Sequence, residues 1–407
     1  MKILFATDNF PPPFSGHSKA VINMASAMKN RGHEITIIAP SPEGFKNHHT
    51  DLSEVTDNLE KPVNVNIRVS YLRSLPLFHG DNALKSLAVG KNFIQREMIN
   101  FKPDIIHFNG WGPLCKTVYK AKPMDSVKTI ATCHGVPMHV TSKLFGENVA
   151  APGLEKVIWR MMVNFYGKMD LVLSPSNFVN KKLTAAGLEE KKGIVLSNGI
   201  ETPIYSHLDD EKRMAILKKY RFPEDKLLVT YIGRLDPEKN IHMLTKTVEY
   251  FQYDNNLLFI AAGAGKLKKK LESFAAINRK NFLLHDWLNS EEMVDILGVS
   301  DIFFNPSPSE SQSITTIEAM ASYLPVVATN EGALADLVEE NVNGFLFKNN
   351  DLGSCTRKLK ILLKDPELII KFGMRSREKS LLHNRNTVMD RLENIYHLQT
   401  SRSGLES

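Results

Sequence analysis

Two glutamates eight residues apart mark the segment of this chain with the clearest chemical potential. The segment reads Glu310-Ser-Gln-Ser-Ile-Thr-Thr-Ile-Glu318 and lies between two short apolar stretches, residues 301–304 and 326–329. Hydrophobic periodicity predicts strand, loop, short helix and strand in that order. Glu310 is then expected in a loop at the carboxyl end of a strand, where open α/β sheets bind ligands, and Glu318 about one to two turns into the helix.

The start of the predicted helix adds an anion-binding element. The N–H groups of its first turn, around Ser313, Ile314 and Thr315, have no acceptor within the helix and can bind an anion. One carboxylate near a reacting group, one near hydroxyl groups and a phosphate site between them suit a nucleotide-sugar. The alternative is a solvated loop glutamate and a helix-surface glutamate, which is the commoner outcome for an arbitrary pair.

Two cations follow an earlier predicted strand. Residues 231–240 read Tyr-Ile-Gly-Arg-Leu-Asp-Pro-Glu-Lys-Asn, so Arg234 and Lys239 lie five residues apart across a turn. A guanidinium and an ammonium that converge on one end of a crevice would bind a diphosphate. Salt bridges to Asp236 and Glu238 are the alternative use of both cations.

Three further positions also come directly after strands. Gly16 precedes a predicted helix, where a glycine lets backbone N–H groups approach a phosphate and can adopt a positive φ; a plain turn is the alternative. Gly263 begins Gly-Ala-Gly-Lys, which lacks the spacing of a Walker loop and of a dinucleotide fingerprint and is interpreted as a tight turn beside a base pocket. His134 follows residues 129–132, with a structural histidine as its alternative.

Length and composition set the frame for these residues. A chain of 407 residues suits two domains. With 43% hydrophobic and 24% charged residues, the composition is that of a soluble globular protein, and no apolar run reaches the ~18 residues that span a membrane. The apolar start, residues 1–7, is too short for a signal peptide, and three scattered cysteines fit a reducing cytosol.

The charge balance is mildly basic, with a net charge of +6 and a pI near 8.9. No basic motif interleaved with aromatics and no zinc pattern indicates nucleic acid. Attraction to phosphorylated ligands or to an anionic membrane surface stays open. The lysine cluster at residues 266–270 has a solvated helix face as its alternative interpretation.

Strands that alternate with helices predict two parallel, doubly wound sheets of an α/β protein. Strands are predicted at residues 2–7, 34–39, 65–69, 105–108, 129–132, 171–174 and 193–196, and again at 227–232, 257–262, 281–284, 302–304, 326–328 and 345–347. A break at residues 197–203, followed by the charged stretch 206–219, is interpreted as the linker. The predicted domains are therefore residues 1–198 and 199–385, followed by a C-terminal helix and tail at 386–407, of which 400–407 are expected to be disordered.

Taken together, these motifs resemble the retaining glycosyltransferases of family 4, whose GT-B fold has two Rossmann-like domains facing across a cleft. The resemblance spans nearly the whole chain in the order of the family. It is carried by Gly16 with Arg31-Gly-His-Glu34, Thr132-Cys-His-Gly135, Ser174-Pro-Ser176, Ser197-Asn-Gly-Ile200, Tyr231-Ile-Gly-Arg234 with Lys239, Pro306-Ser307 through Glu310 to Glu318-Ala-Met-Ala321, Leu324-Pro-Val-Val-Ala328 and Asn343-Gly344.

The resemblance implies a role for each matching position. Arg234 and Lys239 would bind the donor diphosphate and stabilise the charge that grows on it as the sugar leaves. Glu310 would lie beside the donor sugar, and Glu318 would hold the ribose hydroxyls, next to the N–H groups of residues 313–315 and the turn at Gly263.

The resemblance also implies roles in the first half and for the reaction as a whole. Gly16 would place an N–H on the phosphate, and His134 would contact the sugar. No metal and no cofactor would be required. The donor, expected to be a UDP-linked hexose, would bind mainly to the C-terminal domain and the acceptor to the N-terminal domain. Retention would follow a front-face path in which the leaving phosphate takes the acceptor proton, without a covalent nucleophile.

The chain departs from the family pattern at several positions. Glu310-Ser-Gln-Ser313 stands where the family commonly has Glu-Gly-Phe-Gly, Ser15 precedes Gly16 where a second glycine is usual, Gly332 stands where a glycine pair is expected, and Asp286 replaces a common glycine. The Glu-Ser-Gln-Ser variant resembles members that glycosylate diacylglycerol or other membrane lipids.

The acceptor is therefore expected to be a membrane lipid or a glycan precursor, on a cytoplasmic protein that is peripheral to the inner face of the membrane. The apolar residues 75–87, including Phe78, would allow contact with an anionic membrane. Trp111, Phe145 and Trp159 would line an acceptor site or, as the alternative, be buried aromatics. A soluble-acceptor, polysaccharide or lipopolysaccharide glycosyltransferase stays open, as do a sugar-nucleotide epimerase of the same fold and a non-catalytic scaffold.

Overall fold

The apolar runs of the sequence become strands whose two faces are both covered, as expected of parallel sheets. The computed structural model describes residues 1–11, 16–41, 47–56, 65–73, 90–122, 127–135 and 152–401. The chain forms two compact units. Unit 1 consists of Met1–Gly135, Pro152–Asn198 and Val388–Ser407, and the described part of unit 2 is Gly199–Thr387.

Unit 1 is built on an eight-stranded sheet. Its strands are β1 (Lys2–Thr7), β2 (Glu34–Pro40), β3 (His48–Asp51), β4 (Arg68–Leu72), β5 (Ile105–Asn109), β6 (Lys128–Thr132), β7 (Leu171–Ser174) and β8 (Gly193–Val195). Its helices are α1 (Gly16–Asn30), α2 (Leu52–Thr56), α3 (Lys91–Phe101), α4 (Pro113–Ala121), α5 (Pro152–Tyr166) and α6 (Asn177–Ala185), with a 3₁₀ turn at Glu190–Lys192. The strand order is β3-β4-β2-β1-β5-β6-β7-β8.

Unit 2 is built on a six-stranded parallel sheet of order β11-β10-β9-β12-β13-β14. Its strands are β9 (Leu227–Ile232), β10 (Leu257–Ala262), β11 (Phe282–His285), β12 (Ile302–Asn305), β13 (Val326–Thr329) and β14 (Gly344–Phe347). Its helices are α7 (Asp210–Tyr220), α8 (Ile241–Tyr250), α9 (Lys268–Ile277), α10 (Ser290–Val299), α11 (Ile314–Ala321), α12 (Leu334–Leu337), α13 (Leu352–Leu363) and α14 (Pro366–Ser380), with 3₁₀ turns at Thr202–Ile204, Pro237–Lys239 and Leu381–His383.

The prediction of a purely parallel first sheet is wrong at its edge. The strand β3 pairs antiparallel with β4, with Asp51 opposite Arg68. Its sequence, His-His-Thr-Asp, contains no apolar residue, because an edge strand needs little burial, and so hydrophobic periodicity does not reveal it. The strand predicted at residues 65–69 forms instead at Arg68–Leu72, where four consecutive residues are buried.

The predicted linker is wrong in its second part. Residues 210–220 form α7, with Asp209 as the N-cap that accepts from the Lys212 N–H and with Leu217 buried in the core of unit 2. One buried residue in eleven leaves the rest of this helix charged, which explains why its composition resembles a linker.

The C-terminal helix, α15 (Arg385–Ser401), packs into unit 1. Val388, Met389, Leu392 and Tyr396 on one of its faces are fully buried with the core residues of α1 and β1. The helix also includes Thr400 and Ser401, which corrects the expectation that disorder begins at residue 400. In the described part of the chain, no helix is both long enough and apolar enough to cross a membrane.

Candidate active site

Both sheets change winding direction next to their first strand. In unit 2 the order reverses between β9 and β12, and in unit 1 it reverses between β1 and β5. Open α/β sheets bind ligands at the carboxyl ends of the strands that flank such a switch point. Arg234 and Lys239 follow β9 and Glu310 follows β12, so these three predicted residues flank the switch point of unit 2.

Lys239 and Glu310 form a direct ion pair at this position. The Lys239 Nζ lies 2.7 Å from the Glu310 Oε1, and the two side chains are 11% and 14% exposed. Lys239 ends the 3₁₀ turn Pro237–Lys239, which begins after Asp236. Lys239 is almost fully buried, and a buried ammonium persists only beside a counter-charge.

Arg234 lies in the same loop but is held by other carboxylates. Its guanidinium donates to Asp236 and, at 2.6 Å, to Glu238, and the side chain is 42% exposed. The salt bridges considered as the alternative use of Arg234 are thus present. They engage two of the five N–H donors of the guanidinium, so they orient the group and leave other donors for a ligand.

Hydrogen bonds and burial shift the pKa values of two side chains, Glu238 and Tyr231, at this loop. Burial raises the pKa of Glu238, but its backbone hydrogen bond and Arg234 outweigh this and leave the pKa below the ordinary value. The phenol of Tyr231 donates to the Arg234 carbonyl at 2.9 Å. Burial, with the Glu310 carboxylate as the next cause, raises the pKa of Tyr231 well above 10. Two basic side chains, Arg234 and Lys239, thus pair with three acidic ones, Asp236, Glu238 and Glu310.

Helix α11 starts beside these charges from an unusual residue. Ser313, its N-cap, has φ +62°, and the hydrogen bonding of the helix begins with the Thr316 N–H on the Ser313 carbonyl. The N–H groups of Ser313, Ile314 and Thr315 are the ones that helix geometry leaves for other acceptors. These three predicted positions therefore present the positive end of a helix next to Glu310.

A buried network supports the loop between β12 and α11. The Asn305 amide donates to the Ser313 Oγ at 3.1 Å and to the Thr316 Oγ1 at 3.0 Å, and its Oδ1 accepts the Ser307 N–H at 3.0 Å. The two hydroxyls are themselves 2.7 Å apart. Asn305 thereby connects both ends of the loop that carries Glu310.

Gly263 has a structural reason to be glycine. A Cβ at this position would lie 1.9 Å from the Gly233 carbonyl oxygen, so the loops after β9 and β10 approach too closely for any side chain. The two loops are also joined by the bond from the Leu235 N–H to the Ala264 carbonyl at 2.8 Å. Gly263 therefore positions the Arg234 loop, and contact with a base stays a prediction.

Glu318 lies on α11, half-buried, one helical turn beyond the exposed N–H groups. It hydrogen-bonds to the hydroxyl of Tyr205, which is 4% exposed, and burial together with this carboxylate raises the pKa of Tyr205. A role in holding ribose hydroxyls stays a prediction for this carboxylate.

The two predicted residues of the first half, Gly16 and His134, both lie in unit 1, whereas the other eight lie in unit 2. Gly16 is the first residue of α1. Its φ is not positive, contrary to one expectation, and a Cβ there would meet nothing within 4 Å. The fold therefore does not require glycine at position 16, and close approach of its N–H to a phosphate stays a prediction.

His134 is part of a cluster at the switch point of unit 1. Its Nε2 donates to the Asn109 Oδ1 at 2.9 Å, and its ring is tilted by 32° against that of His17, with centroids 4.5 Å apart. The His17 Nε2 donates to the Asn109 carbonyl, also at 2.9 Å. The last residue of β5 therefore positions both imidazoles, one that follows β1 and one that follows β6.

Burial keeps this cluster neutral. Burial lowers the pKa of His17 to about 4 and, with His17 and His107 as neighbours, the pKa of His134 well below 6.5. His107, buried behind them against Tyr396, has its pKa lowered to about 3. Neutral imidazoles donate and accept hydrogen bonds but carry no charge, so the cluster suits hydroxyl groups.

The loop after β5 is anchored by a buried carboxylate. Asp8 accepts the N–H groups of Gly112, Leu114 and Cys115 at the start of α4. Burial nevertheless raises the pKa of Asp8. Asp8 thereby fixes the segment on which the half-buried Trp111 lies.

The other aromatic residues considered for an acceptor site have different outcomes. Trp159, on α5, is 8% exposed, as the buried alternative predicts. Phe145 and residues 75–87, including Phe78, lie outside the described residues.

Sequence reasoning missed His17, Asn109, Asn305 and Tyr205 as members of these clusters. The two asparagines carry a recognisable signal, since each is a polar residue that ends a strand otherwise apolar or buried and borders a switch point. His17 was recognisable as a histidine directly after Gly16. Tyr205 has no such signal, because its approach to Glu318 depends on tertiary packing.

Within the described residues, His33, Glu393 and His397 bring three side chains that could ligate a metal within 4.8 Å of one another. The Glu393 carboxylate already accepts from Arg31 at 3.3 Å and pairs with His33 at 2.9 Å. A guanidinium on the same carboxylate opposes a metal cation, so we interpret this group as an ion-pair network that ties α15 to the turn before β2.

Known structures match this architecture over almost the full chain. Sucrose-phosphate synthase of Thermosynechococcus elongatus superposes with a TM-score of 0.76 at 15% identity, covering 98% of this chain and 99% of that one. Anabaena HepE in complex with UDP gives a TM-score of 0.73 at 17% identity, covering 97% and 99%. These likenesses define the fold as GT-B, with two Rossmann-like domains.

Sequence comparisons then define the family. The model "Glycosyl transferases group 1" matches residues 212–379, and the model "Glycosyltransferase Family 4" matches residues 14–203. The two models together cover most of the chain, which therefore belongs to the family 4 glycosyltransferases.

Two curated relatives are similar to this chain over most of its length. Sulfoquinovosyl transferase SQD2 of Arabidopsis thaliana is 28% identical over 91% of this chain and 68% of its own length. Alpha-monoglucosyldiacylglycerol synthase of Acholeplasma laidlawii is 24% identical over 91% of this chain and 90% of its own length.

Proposed function

We propose that this glycosyltransferase moves a hexose, with retention of its anomeric configuration, from a UDP-linked donor to a hydroxyl group of a membrane lipid or glycan precursor. Unit 2 binds the donor and unit 1 the acceptor. The observation that carries the proposal is the buried Lys239–Glu310 pair at the switch point of unit 2, beside the N-terminus of α11.

The charges around this pair support a diphosphate ligand. The loop after β9 supplies Lys239 and the remaining donors of Arg234, and the start of α11 supplies the N–H groups of residues 313–315, so two segments at one end of the sheet carry these donors. A leaving diphosphate gains negative charge as the bond to the sugar breaks, and preorganised donors stabilise that charge. No metal is needed for this role if the two cations and the helix end supply it.

The reaction path follows from the same groups. The bond between the anomeric carbon and the phosphate oxygen breaks, the acceptor oxygen bonds to that carbon on the same face, and the acceptor proton passes to the leaving phosphate. Glu310 is held by Lys239, which lowers its value as a nucleophile and suits a role beside the cationic sugar. The neutral His134–His17 cluster is suited to orienting hydroxyl groups.

The nature of donor and acceptor is supported by relatives. Anabaena HepE has been crystallised with UDP and with UDP-glucose, and the Acholeplasma relative is named for a glucosylated diacylglycerol. A third relative, from Escherichia coli, is named for galactosyl transfer to a diphosphoundecaprenol-linked sugar. Lipid-linked acceptors thus recur among proteins that align with most of this chain.

The test is turnover by the purified chain with a panel of UDP-, GDP- and ADP-linked sugars. We expect slow release of UDP from one UDP-hexose in water and faster release when vesicles containing diacylglycerol are added. The anomeric configuration of the product, read by proton NMR, should equal that of the donor. Activity should persist in EDTA. Inversion, isomerised donor, or no release from any donor would refute the proposal, and acceleration only by soluble glycans would refute its acceptor.

A further inference from the structure

We propose that one face of unit 1, formed by helices α3 to α6, is a docking surface for an anionic lipid bilayer. These four helices lie on the same side of the sheet. Each helix connects two strands, and in the order β4-β2-β1-β5-β6-β7-β8 the second strand always lies to the right of the first. Right-handed crossovers place such helices on one face of the sheet. Helix α3 contacts α4, and α5 contacts α6. The Tyr119 ring of α4 contacts the Phe165 ring of α5.

The charge of the chain is concentrated on these helices. They contain eight lysines and arginines against two glutamates, Glu97 and Glu155, a net charge of +6. The net charge of all 407 residues is also +6, so the rest of the chain is neutral on balance. Glu97 is turned inward, 11% exposed and paired with Arg68 of β4.

The described carboxylates do not pair with the cations of this layer. None of the eight forms a salt bridge to a carboxylate within the parts of the chain that the structure describes. The opposite side of the sheet differs: there Arg31, just after α1, pairs with Asp390 at 2.7 Å and with Glu393 at 3.3 Å on α15. Such unpaired cations on one face attract an anionic surface.

Apolar side chains project from the same basic face. On α5, Val157 is 50% exposed and Met161 is 46% exposed, one turn apart, and each follows an exposed cation, Lys156 and Arg160. On α3, Ile99 is 59% exposed. At a membrane interface, exposed cations meet the anionic headgroups while exposed apolar side chains enter the boundary of the acyl chains, so both kinds of side chain on one surface suit a bilayer.

Aromatic rings with cations above them complete the surface. Lys116 lies 5.2 Å from the Trp111 ring centroid, and Lys122 and Lys168 lie 5.5 and 5.9 Å from that of Tyr119. Tryptophan and tyrosine favour the headgroup region, where long cationic side chains reach the phosphates. A bilayer, with anionic headgroups over acyl chains, matches charges, rings and apolar groups together.

The surface adjoins the candidate acceptor cluster. Helix α4 begins at Pro113, four residues after Asn109, which holds His17 and His134. Docking would thus bring this end of the sheet to the level of the headgroups, where a lipid acceptor presents its hydroxyl. The significance of the surface for turnover rests on the proposed function, but the binding itself does not.

The experiment measures partition of the purified chain onto sedimenting vesicles of phosphatidylcholine, with and without phosphatidylglycerol. We expect binding only to the anionic vesicles at about 0.1 M salt and release at about 1 M, where the Debye length falls from ~10 to ~3 Å. Each cation near such a surface contributes about fivefold to the partition coefficient, so Lys156→Glu with Arg160→Glu should lower it by at least ~30-fold. Val157→Ser with Met161→Ser should lower it less while keeping the charge.

The matched control is Lys269→Glu with Lys270→Glu, the same charge change on two exposed residues of α9 in unit 2. It should bind like the unaltered chain. Equal loss in this control, equal binding to neutral vesicles, or binding to heparin but not to vesicles would overturn the proposal. UDP release into water is measured on every variant. Normal release in the α5 variants shows that their fold is intact. Absence of release in the unaltered chain refutes the proposed function but leaves the proposal of a docking surface standing.

Discussion

The switch points of the two units share a topology and differ in charge. In unit 2 the strands β9 and β12 are followed by two cations and three carboxylates, with the Lys239–Glu310 pair almost fully buried. In unit 1 the strands β1 and β6, which lie on either side of β5, are followed by His17 and His134, whose pKa values burial keeps below the ordinary range. The same architecture therefore carries charged groups in one unit and neutral imidazoles in the other, which suits the diphosphate and the hydroxyl groups of the proposed function.

An asparagine occupies the same structural position in both sites. Asn109 ends β5 and Asn305 ends β12, each the neighbour of its sheet's first strand. Asn109 holds two side chains that face a ligand position, whereas Asn305 holds the backbone and hydroxyls of a loop. A neutral amide can serve both electrostatic environments, because it needs no counter-charge.

The largest expected effect tests the charged site. Lys239→Ala should lower turnover by about 10²–10³-fold, because it removes a buried donor aimed at the developing charge of the diphosphate. Steady-state UDP release and calorimetry with UDP are the measurements. Lys246→Ala is the control, an exposed lysine on α8 that should leave both unchanged. A rate for Lys239→Ala close to that of the control would place the anion elsewhere.

A pair of glycines separates the demands of the fold from those of a ligand. Gly263→Ala should lower the free energy of unfolding by roughly 3 kcal/mol or more, because its Cβ would lie 1.9 Å from a backbone oxygen. Gly16→Ala should leave that free energy within about 0.5 kcal/mol, since open space surrounds the position. If the Gly16 N–H approaches a phosphate, turnover of Gly16→Ala falls while its stability holds. Chemical denaturation and UDP release on both variants decide this, and two variants of equal stability would contradict the packing argument.

The neutral site predicts a pH dependence of stability. A histidine whose pKa is lower in the folded than in the unfolded state contributes stability that is present above pH ~6.5, its pKa in the unfolded chain. This stability is lost as the pH falls toward its pKa in the folded state. For His107, with a folded pKa of about 3, the loss should be roughly 1.5–2 kcal/mol between pH 7 and pH 5. Asp8 acts with the opposite sign, because burial raises its pKa.

A variant isolates this contribution from that of other groups. His107→Gln removes one titrating group, so the difference in unfolding free energy between pH 7 and pH 5 should shrink by that amount. The fluorescence of Trp159, buried in unit 1, can follow unfolding. An unchanged difference would mean that the pKa of His107 is the same in the folded and unfolded states, which would contradict the effect of burial.

The sequence predicts those strands and loops of the molecule whose residue pattern has a single physical cause. A strand such as Leu257–Ala262 is recognisable in the sequence because all six of its residues are apolar, and all six are buried in the structure. Loops with Arg234, Lys239 and Glu310 are recognisable because polar residues there follow apolar strands. The pairing of Arg234 with Asp236 and Glu238 is one of the two uses that the sequence offers, but the partner of Lys239 is less accessible: that it pairs with Glu310 is decided by side-chain packing within unit 2.

What the sequence does not reveal has a common physical origin. The edge strand β3 and the helix α7 bury too little to leave a periodic pattern, and His17 reaches His134 only through the arrangement of β1, β5 and β6. For one departure from the family pattern, at Ser313, the backbone conformation shows why glycine is the usual residue. Ser313 stands where the family commonly has glycine, and its φ of +62° is one that glycine adopts without strain.

The smallest expected effect tests that explanation. Ser313→Gly should change the free energy of unfolding by less than about 1 kcal/mol, because relief of left-handed strain offsets the lost bonds to Asn305 and Thr316. Ser313→Ala keeps the strain and loses the same bonds, so it should cost about 2 kcal/mol. Turnover should survive in both, because the N–H groups of α11 remain. Denaturation of the two variants side by side is the measurement; if alanine proves as stable as glycine, the positive φ of residue 313 carries no strain and the explanation is wrong.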